Sequence, residues 1–409
     1  MSTPTLARDA VRSEQASVPA GRHPLRVMAI LATLMAFGSI STDLYLPAMP
    51  AMARDLGADT GAMEFTISGY LIGFSLGQLL WGAVSDRVGR RLPVAIGIIL
   101  FVIGSAGCAL SGSAAEVIGW RIVQAVGACA GVVLSRAMVR DLFSRDRAAQ
   151  MLSTLIVIMA IAPLAGPLLG GQVLRFASWH WIFWLLVGIG GMTLAALFTV
   201  PETLAPEQRD PDAVRHALAR YGELLADRRI LAYAGIGGFF YAGAFAYIAG
   251  SPFAYISYYH VPASAYGLLF GAATLGIMAM NMLNSRLVAR FGSDNLLRAG
   301  AMMAAVTGLL AALAGWTGWG GLVGLLVPLL AFSALNGLIV ANSLAGALAA
   351  WPDRAGAASA LVGAIQYGSG ILGSALVGLL ADGTPWPLGL VIGLAGIGSL
   401  ACTRLLPRG

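Results

Sequence analysis

The feature that most constrains this 409-residue chain is a series of long apolar runs separated by short polar loops. A bilayer core is about 30 Å thick, so a helix rising 1.5 Å per residue needs about 20 apolar residues to cross it. The first run begins at Leu25, and the others occupy 62–84, 92–112, 115–140, 149–174, 179–200, 229–257, 264–288, 296–315, 320–344, 356–381 and 386–406. The sequence therefore predicts an all-α integral membrane protein with twelve transmembrane helices, numbered spans 1 to 12.

One polar stretch divides the twelve runs into six and six. We predict a cytoplasmic N-terminal tail at 1–24, a first six-helix bundle at 25–200, a cytoplasmic connecting loop at 201–228 and a second bundle at 229–409. The first run is too long for a signal-peptide core and lacks a small-residue cleavage site, so we expect it to be retained. Alternating arginine and acidic residues in the connecting loop fit an amphipathic segment on the membrane surface, with a regulatory role as the alternative.

The arginines predict the orientation of the chain, because all 25 basic residues are arginine. Twenty-two lie on the side of the N-terminus, Arg54 and Arg175 lie on the other side, and Arg121 lies within span 4. Cytoplasmic loops carry such an excess of arginine. Both termini are therefore predicted to be cytoplasmic. The same distribution assigns the net charge of +6 to a membrane face, and no nucleic-acid partner is expected.

Composition excludes several kinds of site. Only 11% of the residues are charged, whereas a soluble domain has about 25%. Without lysine there is no Walker A phosphate loop and no Schiff base. The three cysteines lie in apolar runs and the four histidines are scattered, so we expect no disulfide framework, metal or cofactor. A membrane-embedded enzyme would need a cluster of His, Asp, Glu or Ser within the spans. The sequence has none, so we predict that the chain is not an enzyme.

A short charged loop between spans 2 and 3 is predicted to be a cytoplasmic gate. It contains Gly82, Asp86, Arg87, Gly89, Arg90 and Arg91. We expect Gly82 to permit close helix approach, Gly89 to adopt a positive φ, and Asp86 to face the positive N-terminal end of span 11 near Ala355 and Gly356. The alternative is that the loop only anchors the topology.

The loop between spans 8 and 9 repeats part of this pattern. Arg290 and Gly292 each follow their counterparts by 203 residues, whereas Ala289 stands where the first loop has its aspartate. Such a weak internal repeat is typical of transporters built from two related halves.

Asp43 in span 1 and Arg121 in span 4 are the charges best placed inside the membrane. Counting 1.5 Å per residue, Asp43 lies roughly 27 Å from the cytoplasmic end and Arg121 roughly 9 Å from the outer end, so they differ in height by about 6 Å. Intramembrane charges usually mark functional sites, and we predict that this pair forms one. The alternatives are that Asp43 caps span 1 and that Arg121 forms a static buried ion pair or binds carbonyl groups.

Three other acids follow Asp43 in the sequence. Glu64, Asp55 and Asp59 are expected to lie at or beyond the outer surface, which leaves Asp43 as the best intramembrane acid.

Span 7 is unusually aromatic, and the ring faces in its deeper part suit flat or cationic molecules. The predicted substrate-cavity residues are Tyr45, Gln124, Phe239, Tyr241, Phe245 and Tyr247. Lipid-facing bulk is the alternative for the span 7 residues. Uncharged amides within spans need polar partners in lipid, so some should line the cavity and the rest should join helices. They are Gln78, Gln124, Asn281, Asn284, Asn336, Asn342 and Gln366.

Four motifs resemble those of the major facilitator superfamily, in particular its drug/proton antiporter branch. They are the gate loop Gly82–Arg91, the segment Arg121–Gly127, the acidic segment Ser41–Pro50, and a span 5 segment with Pro163, Gly166, Pro167, Gly170 and Gly171. The sequence of the acidic segment, together with those of Ser178–Trp184 and Ala249–Phe253, resembles the bicyclomycin-resistance (Bcr/CflA) multidrug efflux group.

The resemblance implies the major facilitator fold, with two pseudo-symmetric six-helix bundles around a central cavity. It also implies a monomer in the bacterial cytoplasmic (inner) membrane that exports small, largely apolar drugs in exchange for protons. For that exchange we predict Asp43 and Arg121 as the proton-coupling pair. Span 5 is then a kinked helix that shapes the cavity and prevents leak. A tight helix crossing without a mechanistic role is the alternative for span 5. The alternative function is transport of a metabolite such as a sugar or amino acid. The span 5 motif disfavours import as the direction of that transport.

Overall fold

The computed structural model describes residues 24–351 and 354–406. Residues 1–23 of the predicted N-terminal tail lie outside the described residues, as do 407–409 at the C-terminus. The described ranges contain helices and no strand. The predicted all-α membrane fold is confirmed.

Each predicted span corresponds to a helix or to two consecutive helices. In the first half these are Pro24–Asp43, Thr60–Val88, Arg91–Leu110, Ala114–Leu142, Arg145–Phe176 and His180–Leu197. In the second half they are Arg228–Pro252, Ala263–Phe291, Ser293–Thr317, Gly321–Ala334 with Asn336–Ala349 for span 10, Ala355–Leu379 and Trp386–Cys402.

Shorter helical segments lie between the spans. Leu46–Ala48 and Met49–Asp55 follow span 1, Pro206–Gln208 and Ala213–Leu225 lie in the connecting loop, the π-helix Phe253–Tyr258 extends span 7, and Thr403–Leu405 follows span 12. The helix Ala213–Leu225 is called the connector helix.

Eleven segments of the described chain are long and apolar enough to cross a membrane. They correspond to all the predicted spans except span 5, whose 32-residue helix contains Pro163 and Pro167.

Local sequence explains where several helices begin and end. Asp59 begins span 2 by accepting a hydrogen bond from the Ala62 backbone N–H at 2.6 Å, as expected of an N-cap aspartate. Gly89 ends span 2 with φ of +101°, and Gly292 ends span 8 with φ of +76°. Both glycines therefore use the positive φ that favours this residue. They are the glycines that the weak internal repeat aligns.

The two halves meet closely at one end of spans 2 and 11. A methyl group on Gly61 would lie 2.4 Å from the carbonyl oxygen of Gly378, so the two backbones are in direct contact there. Nearby, the hydroxyls of Ser68 and Ser374 form a buried hydrogen bond of 2.8 Å between the halves. With the orientation predicted from the arginines, this end is the outer side.

Spans 5 and 8 also pack at their outer ends. A methyl group on Gly171 would lie 2.7 Å from the Ala263 carbonyl oxygen, and one on Gly267 would lie 2.6 Å from the Leu168 nitrogen. Glycine allows such close helix contacts in membranes. The side predicted to be the outer one is therefore closed by these backbone contacts.

Candidate functional site

Span 1 is interrupted at the predicted coupling acid. Its helix ends at Asp43, and a 3₁₀ turn at Leu46–Ala48 leads into a short helix. Pro47 explains the interruption, since proline lacks the backbone N–H that a continuing helix requires. The Asp43 side chain is 5% exposed and accepts a 3.2 Å hydrogen bond from the Thr42 hydroxyl.

Arg121 lies fully buried beside this interruption. Its Nη1 donates to the Ser41 carbonyl and to Gln124 Oε1, both at 2.7 Å. Its guanidinium carbon lies 4.2 Å from the ring centre of Tyr45 and 4.3 Å from that of Tyr70. A desolvated cation over such a ring is stabilised by about 2 kcal/mol or more. The arginine is therefore held largely by neutral groups.

A second layer of hydrogen bonds fixes the groups around Arg121. Gln124 donates to the Ser105 hydroxyl at 2.7 Å. The Tyr45 hydroxyl is 2.8 Å from that of Thr66, and the Tyr70 hydroxyl is 2.7 Å from that of Ser41. Tyr45 and Gln124, which the sequence assigned to the substrate cavity, are both fully buried. In this structure they position the guanidinium and do not line an open cavity.

Asp43 and Arg121 are close in the fold but not ion-paired. Among the described residues, no distance of 4.0 Å or less joins the guanidinium to a carboxylate. Arg121 Nε and Nη2 are buried without a hydrogen-bond partner. The site therefore contains a carboxyl group without an ion-pair partner and two guanidinium nitrogens without an acceptor. Of the two alternatives that the sequence left open for Arg121, the static ion pair is not formed, whereas the carbonyl contact is, to Ser41.

The glycines of span 5 pack directly on the Asp43 turn. A methyl group on Gly166 would lie 3.0 Å from the Asp43 Cβ, and one on Gly170 would lie 1.9 Å from the Leu44 carbonyl oxygen. Gly171, one residue further on, contacts span 8 of the other half. Pro163 and Pro167 lie within the same helix. This motif therefore joins the acid of span 1 to the seam between the halves.

The gate loop is held by contacts within its own half. Arg90 donates through Nη1 to Asp86 and through Nε to Asp141, the latter at 2.9 Å. Arg91 Nη2 donates to the Phe198 carbonyl at 3.0 Å. The described contacts give Arg87 no hydrogen bond or ion pair, and its side chain is exposed.

Glu202 caps the helix that follows the gate loop. Its carboxylate accepts hydrogen bonds from the backbone N–H groups of Arg90 at 2.8 Å and Arg91 at 3.1 Å. Partial burial acts to raise the pKa of Glu202. These hydrogen bonds and those from the backbone N–H groups of Thr203 and Leu204 together lower the pKa by more, so it lies below the ordinary value. This role of Glu202 could not be predicted from the sequence, because Glu202 lies over a hundred residues from Arg90 and Arg91 in the chain.

Two expectations for the gate loop are not met in this structure. The Asp86 side chain is 52% exposed and pairs with Arg90, so it does not bind the N-terminal end of span 11. A Cβ on Gly82 would have no neighbour within 4 Å, so no close helix contact is made there. Both results fit a structure that is closed on the outer side, in which the gate loop contacts its own half.

The connector helix bridges the two halves on the side predicted to be cytoplasmic. The Tyr221 hydroxyl donates to the Leu79 carbonyl of span 2 at 3.2 Å. Glu223 forms an ion pair with Arg354 at the start of span 11. The connector therefore packs against protein and is not only a surface segment.

An aromatic cluster lies between span 7 and spans 2 and 11. The Tyr367 ring centre lies 4.6 Å from that of Phe74, 5.6 Å from that of Tyr241 and 5.8 Å from that of Phe245. Phe74 also stacks near Tyr70, which contacts Arg121. The cluster therefore connects span 7 to the arginine site. Sequence reasoning identified only its span 7 members.

The other two span 7 aromatics lie elsewhere. Phe239 is 46% exposed and packs across Gly398 of span 12, on the side away from the cluster. Tyr247 is 3% exposed and stacks with Phe270 at 5.9 Å. The aromatic residues of span 7 therefore do not form one cavity surface.

Glu64 corrects the sequence expectation for the outer acids. Asp55 and Asp59 are exposed as expected. Glu64, however, is 2% exposed, and its Oε2 has no hydrogen-bond partner. The reason is that span 2 begins at Thr60, so Glu64 lies one turn inside the helix and faces Gly378 of span 11.

The span amides lie in different environments. Asn342 bonds Asn284 at 2.8 Å and the Ser293 hydroxyl at 2.9 Å, which joins spans 8, 9 and 10. Gln78 accepts from Cys129 at 3.4 Å within the first half. Gln366 Nε2 is buried without a partner. No group of His, Cys, Asp and Glu in the described part of the chain could hold a metal ion.

Comparison with known proteins places this arrangement in a family. The sequence profile of the Major Facilitator Superfamily matches residues 29–374. The chain is 35% identical over 390 residues to an uncharacterized MFS-type transporter, YdgK, of Bacillus subtilis (strain 168), covering 94% of this chain and 96% of that protein. It is 30% identical to a bicyclomycin resistance protein homolog of Haemophilus influenzae, covering 90% and 91%. It is 29% identical to multidrug resistance protein D of Escherichia coli (strain K12), covering 92% and 95%.

Solved structures agree on the fold. A crystal structure of a D-xylose-proton symporter superposes with a TM-score of 0.74 at 17% identity, covering 94% of this chain and 98% of that one. The nucleoside transporter NupG superposes with a TM-score of 0.76 at 13% identity, covering 93% and 100%. The relatives confirm the resemblance to the bicyclomycin-resistance group. The chain is a multi-pass membrane protein that belongs to the major facilitator superfamily.

Proposed function

We propose that this protein exports small, largely apolar drugs across the bacterial cytoplasmic membrane in exchange for protons. The observation that carries the proposal is the arrangement at span 1. The buried Asp43 carboxyl lies near Arg121, yet the guanidinium binds the Ser41 carbonyl and two tyrosine rings. Names of the relatives, which include a bicyclomycin resistance protein homolog and a multidrug resistance protein, support the choice of substrate class.

Exchange requires a site that responds to both proton and drug. A neutral carboxyl group costs far less to bury than an unpaired carboxylate, so the unpaired geometry suits a protonated Asp43. When the proton leaves, the unused Nε and Nη2 donors of Arg121 are available to pair with the carboxylate. That change would reposition Ser41 and Tyr70, which both contact the guanidinium. A drug that favours one arrangement shifts the proton equilibrium by its differential affinity.

The aromatic cluster is the proposed drug contact. Tyr241, Phe245, Tyr367 and Phe74 present ring faces to one another between the halves. Aromatic faces bind flat apolar molecules and cations. Because Phe74 adjoins Tyr70, a drug bound at this cluster lies next to the ring that contacts Arg121. This proximity provides the link between drug and proton.

Transport by this proposal is alternating access, in which the first bundle (25–200) rocks against the second (229–409) while 201–228 connects them on the cytoplasmic side. The closed outer contacts at Gly61 and Gly171 support such a division. Both termini are proposed to be cytoplasmic and the working unit to be a monomer. We propose no enzymatic step and no cofactor.

The test is a drug panel on cells that overproduce the protein, measured with and without a protonophore. Raised resistance and reduced drug accumulation that the protonophore abolishes would support proton-driven export. Asp43→Asn should lose the resistance, whereas Asp59→Asn should keep it, because Asp59 is an exposed acid whose capping role asparagine can fill.

Two outcomes would contradict the proposal. Resistance that survives collapse of the proton gradient would remove the coupling. Unchanged drug resistance together with uptake of a labelled sugar or amino acid into vesicles would favour a metabolite transporter.

A further inference from the structure

The outer ends of spans 2, 7, 11 and 12 enclose a small cavity that drug/proton exchange at Asp43 does not use. Its volume is about 60 Å³, enough for a few water molecules, since one water requires at least about 10–15 Å³. Thr60 and Glu64 line it from the first half, and Val377, Ser257 and Tyr258 line it from the second. The cavity therefore lies on the seam between the two halves.

Glu64 is the buried acid of this cavity. Its side chain is 2% exposed, and its Oε2 is buried without a hydrogen-bond partner. No arginine or histidine among the described residues forms an ion pair with it. An unpaired carboxylate is far more costly to bury than a neutral carboxyl group. Closure of the seam around Glu64 therefore favours the form that holds a proton.

The seam at this point is one that must open for exchange to occur. Gly61 and Gly378 bring the two backbones into contact one turn from Glu64, and the Ser68–Ser374 hydrogen bond lies just below. Part of the cavity wall is the π-helix Phe253–Tyr258, a conformation that is frequent at functional sites. Separation of these contacts would expose the Glu64 carboxyl group to outside water.

We propose that Glu64 is a second proton-binding site, located in the outer gate formed by Gly61, Ser68, Ser374 and Gly378. While the gate is open, its carboxylate binds a proton from outside water. The carboxyl group keeps this proton while the gate is closed and releases it to outside water after the gate reopens. Only the O–H bond of the carboxyl group forms and breaks. The inference rests on the proposed function, because alternating access is what opens this gate.

The sign of the pH dependence follows from the proton count. If the closed form holds one proton more than the open form, the ratio of open to closed protein rises by up to about tenfold per pH unit on the outer side. Low external pH therefore keeps the outer gate closed, and high external pH opens it.

Other ionisable groups at this end must be separated from Glu64. Tyr258 lines the cavity, Asp59 caps the same helix, and Asp382 lies in the loop that continues from span 11. His260 is exposed just beyond the π-helix and adopts a φ of +56°. It is an ionisable side chain two residues from Tyr258, so it requires its own control.

The experiment measures access to the gate directly and needs no drug. Ser374→Cys is introduced into a chain in which the three native cysteines, Cys108, Cys129 and Cys402, are replaced by alanine. Ser374 is fully buried, so a membrane-impermeant thiol reagent added outside labels it only when the gate opens. Labelling rates are measured from external pH 5.5 to 8.5, with and without Glu64→Gln, which mimics the protonated acid.

A reference thiol corrects for the reactivity of cysteine itself, which rises with pH. Thr317→Cys serves because Thr317 is exposed at the outer end of span 9. After this correction, we expect labelling at Ser374→Cys to rise severalfold with external pH. With Glu64→Gln it should stay low at every pH. Asp59→Asn, Asp382→Asn and His260→Asn should keep the rise, since asparagine caps helices and tolerates a positive φ.

Three results would overturn the inference: a profile with Glu64→Gln that matches the parent, a parent profile that is flat, or loss of the rise on replacing His260. Labelling of the unfolded protein in detergent confirms that each variant carries a reactive thiol, and Glu64→Ala tests whether the effect follows the charge. Failure here is distinguishable from failure of the proposed function, because drug export that a protonophore abolishes would still hold.

Discussion

At the residue scale, the environment of Arg121 explains why an arginine suits this position. A guanidinium is planar and weakly hydrated, and it stacks on aromatic rings while donating in its own plane. Arg121 does both, between Tyr45 and Tyr70 and toward the Ser41 carbonyl. Two of its donors remain unused. The residue is therefore stable in the closed structure and can still donate hydrogen bonds to a carboxylate.

The first prediction concerns Asp43→Asn. The amide cannot ionise, so drug binding should no longer release a proton, and proton-driven accumulation should be abolished. Binding itself should change by only a few fold, because asparagine keeps the size of aspartate and the aromatic cluster is untouched. The measurement is drug-induced proton release from purified protein in detergent, beside drug affinity. Asp55→Asn is a matched control, since Asp55 is exposed. Release at the parent level from Asp43→Asn would place the proton site elsewhere.

The second prediction concerns Arg121→Lys. A lysine ammonium is a point charge that cannot stack on two rings while binding Ser41 and Gln124 in one plane. Losing about 2 kcal/mol of ring interaction corresponds to about thirtyfold, and we expect export to fall by at least tenfold on that scale. Initial rates in proteoliposomes with an imposed pH gradient measure it. Arg175→Lys is the control, because Arg175 lies over the Phe176 ring at the surface. Equal rates for both variants would show that only the charge matters.

Depth along a helix could be predicted from sequence, but direction around it could not. Counting residues placed Asp43 and Arg121 at similar heights, and the structure brings their neighbourhoods together. The same counting placed Glu64 at the surface, although it faces span 11. Tyr367 was missed for a related reason. Its partners lie on spans 2 and 7, and only packing determines which faces of those helices meet.

At the element scale, span 7 also shows that the direction of a side chain around its helix could not be predicted from sequence. Its aromatic residues read as one stripe, but the structure divides them among the cluster, the surface and a buried contact with Phe270 of span 8. The interruption of span 1 was better predictable, because Pro47 and Pro50 follow Asp43 closely. The φ of Gly89 was also predictable, since a sharp turn between two helices favours glycine.

The third prediction separates the members of span 7. Tyr241→Ala and Phe245→Ala remove rings that contact Tyr367, so they should change resistance unevenly, with severalfold losses for some drugs and little change for others. Phe239→Ala is the matched control, because Phe239 packs on Gly398 away from the cluster. It should lower all activities together or not at all. Dose–response curves for six or more drugs, normalised to membrane expression, provide the measurement. An uneven profile for Phe239→Ala would place the drug on the other side of span 7.

At the scale of the whole molecule, the closed outer side and the contacts of the gate loop belong to one of the two conformations that we propose for transport. Backbone contacts at Gly61 and Gly171 join the halves outside. On the cytoplasmic side, Asp86 pairs with Arg90 of its own half. Span 11 begins at Ala355 without a side-chain cap, so its first N–H groups form a positive end open to an anion. This end is where we expect Asp86 to bind in the opposite state.

The last prediction tests that site with Asp86→Asn. Interaction of a carboxylate with a helix N-terminus is worth up to about 2 kcal/mol, or about thirtyfold in the population of the cytoplasm-closed state. We therefore expect export to fall severalfold or more, while insertion is unchanged because the arginines that set topology remain. Initial export rates are compared with cross-linking between Arg87→Cys and Gly356→Cys, where a Cβ meets no neighbour.

Both readouts should fall together in Asp86→Asn, because they report the same closed cytoplasmic state. Asp212→Asn is the matched control, since Asp212 is an exposed acid of the connecting loop that makes no side-chain cap bond. Cross-linking that falls without a loss of export would separate the contact from the transport cycle. Export at the parent rate with unchanged cross-linking would show that the Asp86 charge does not latch the two halves, and the loop would then serve only to anchor the topology.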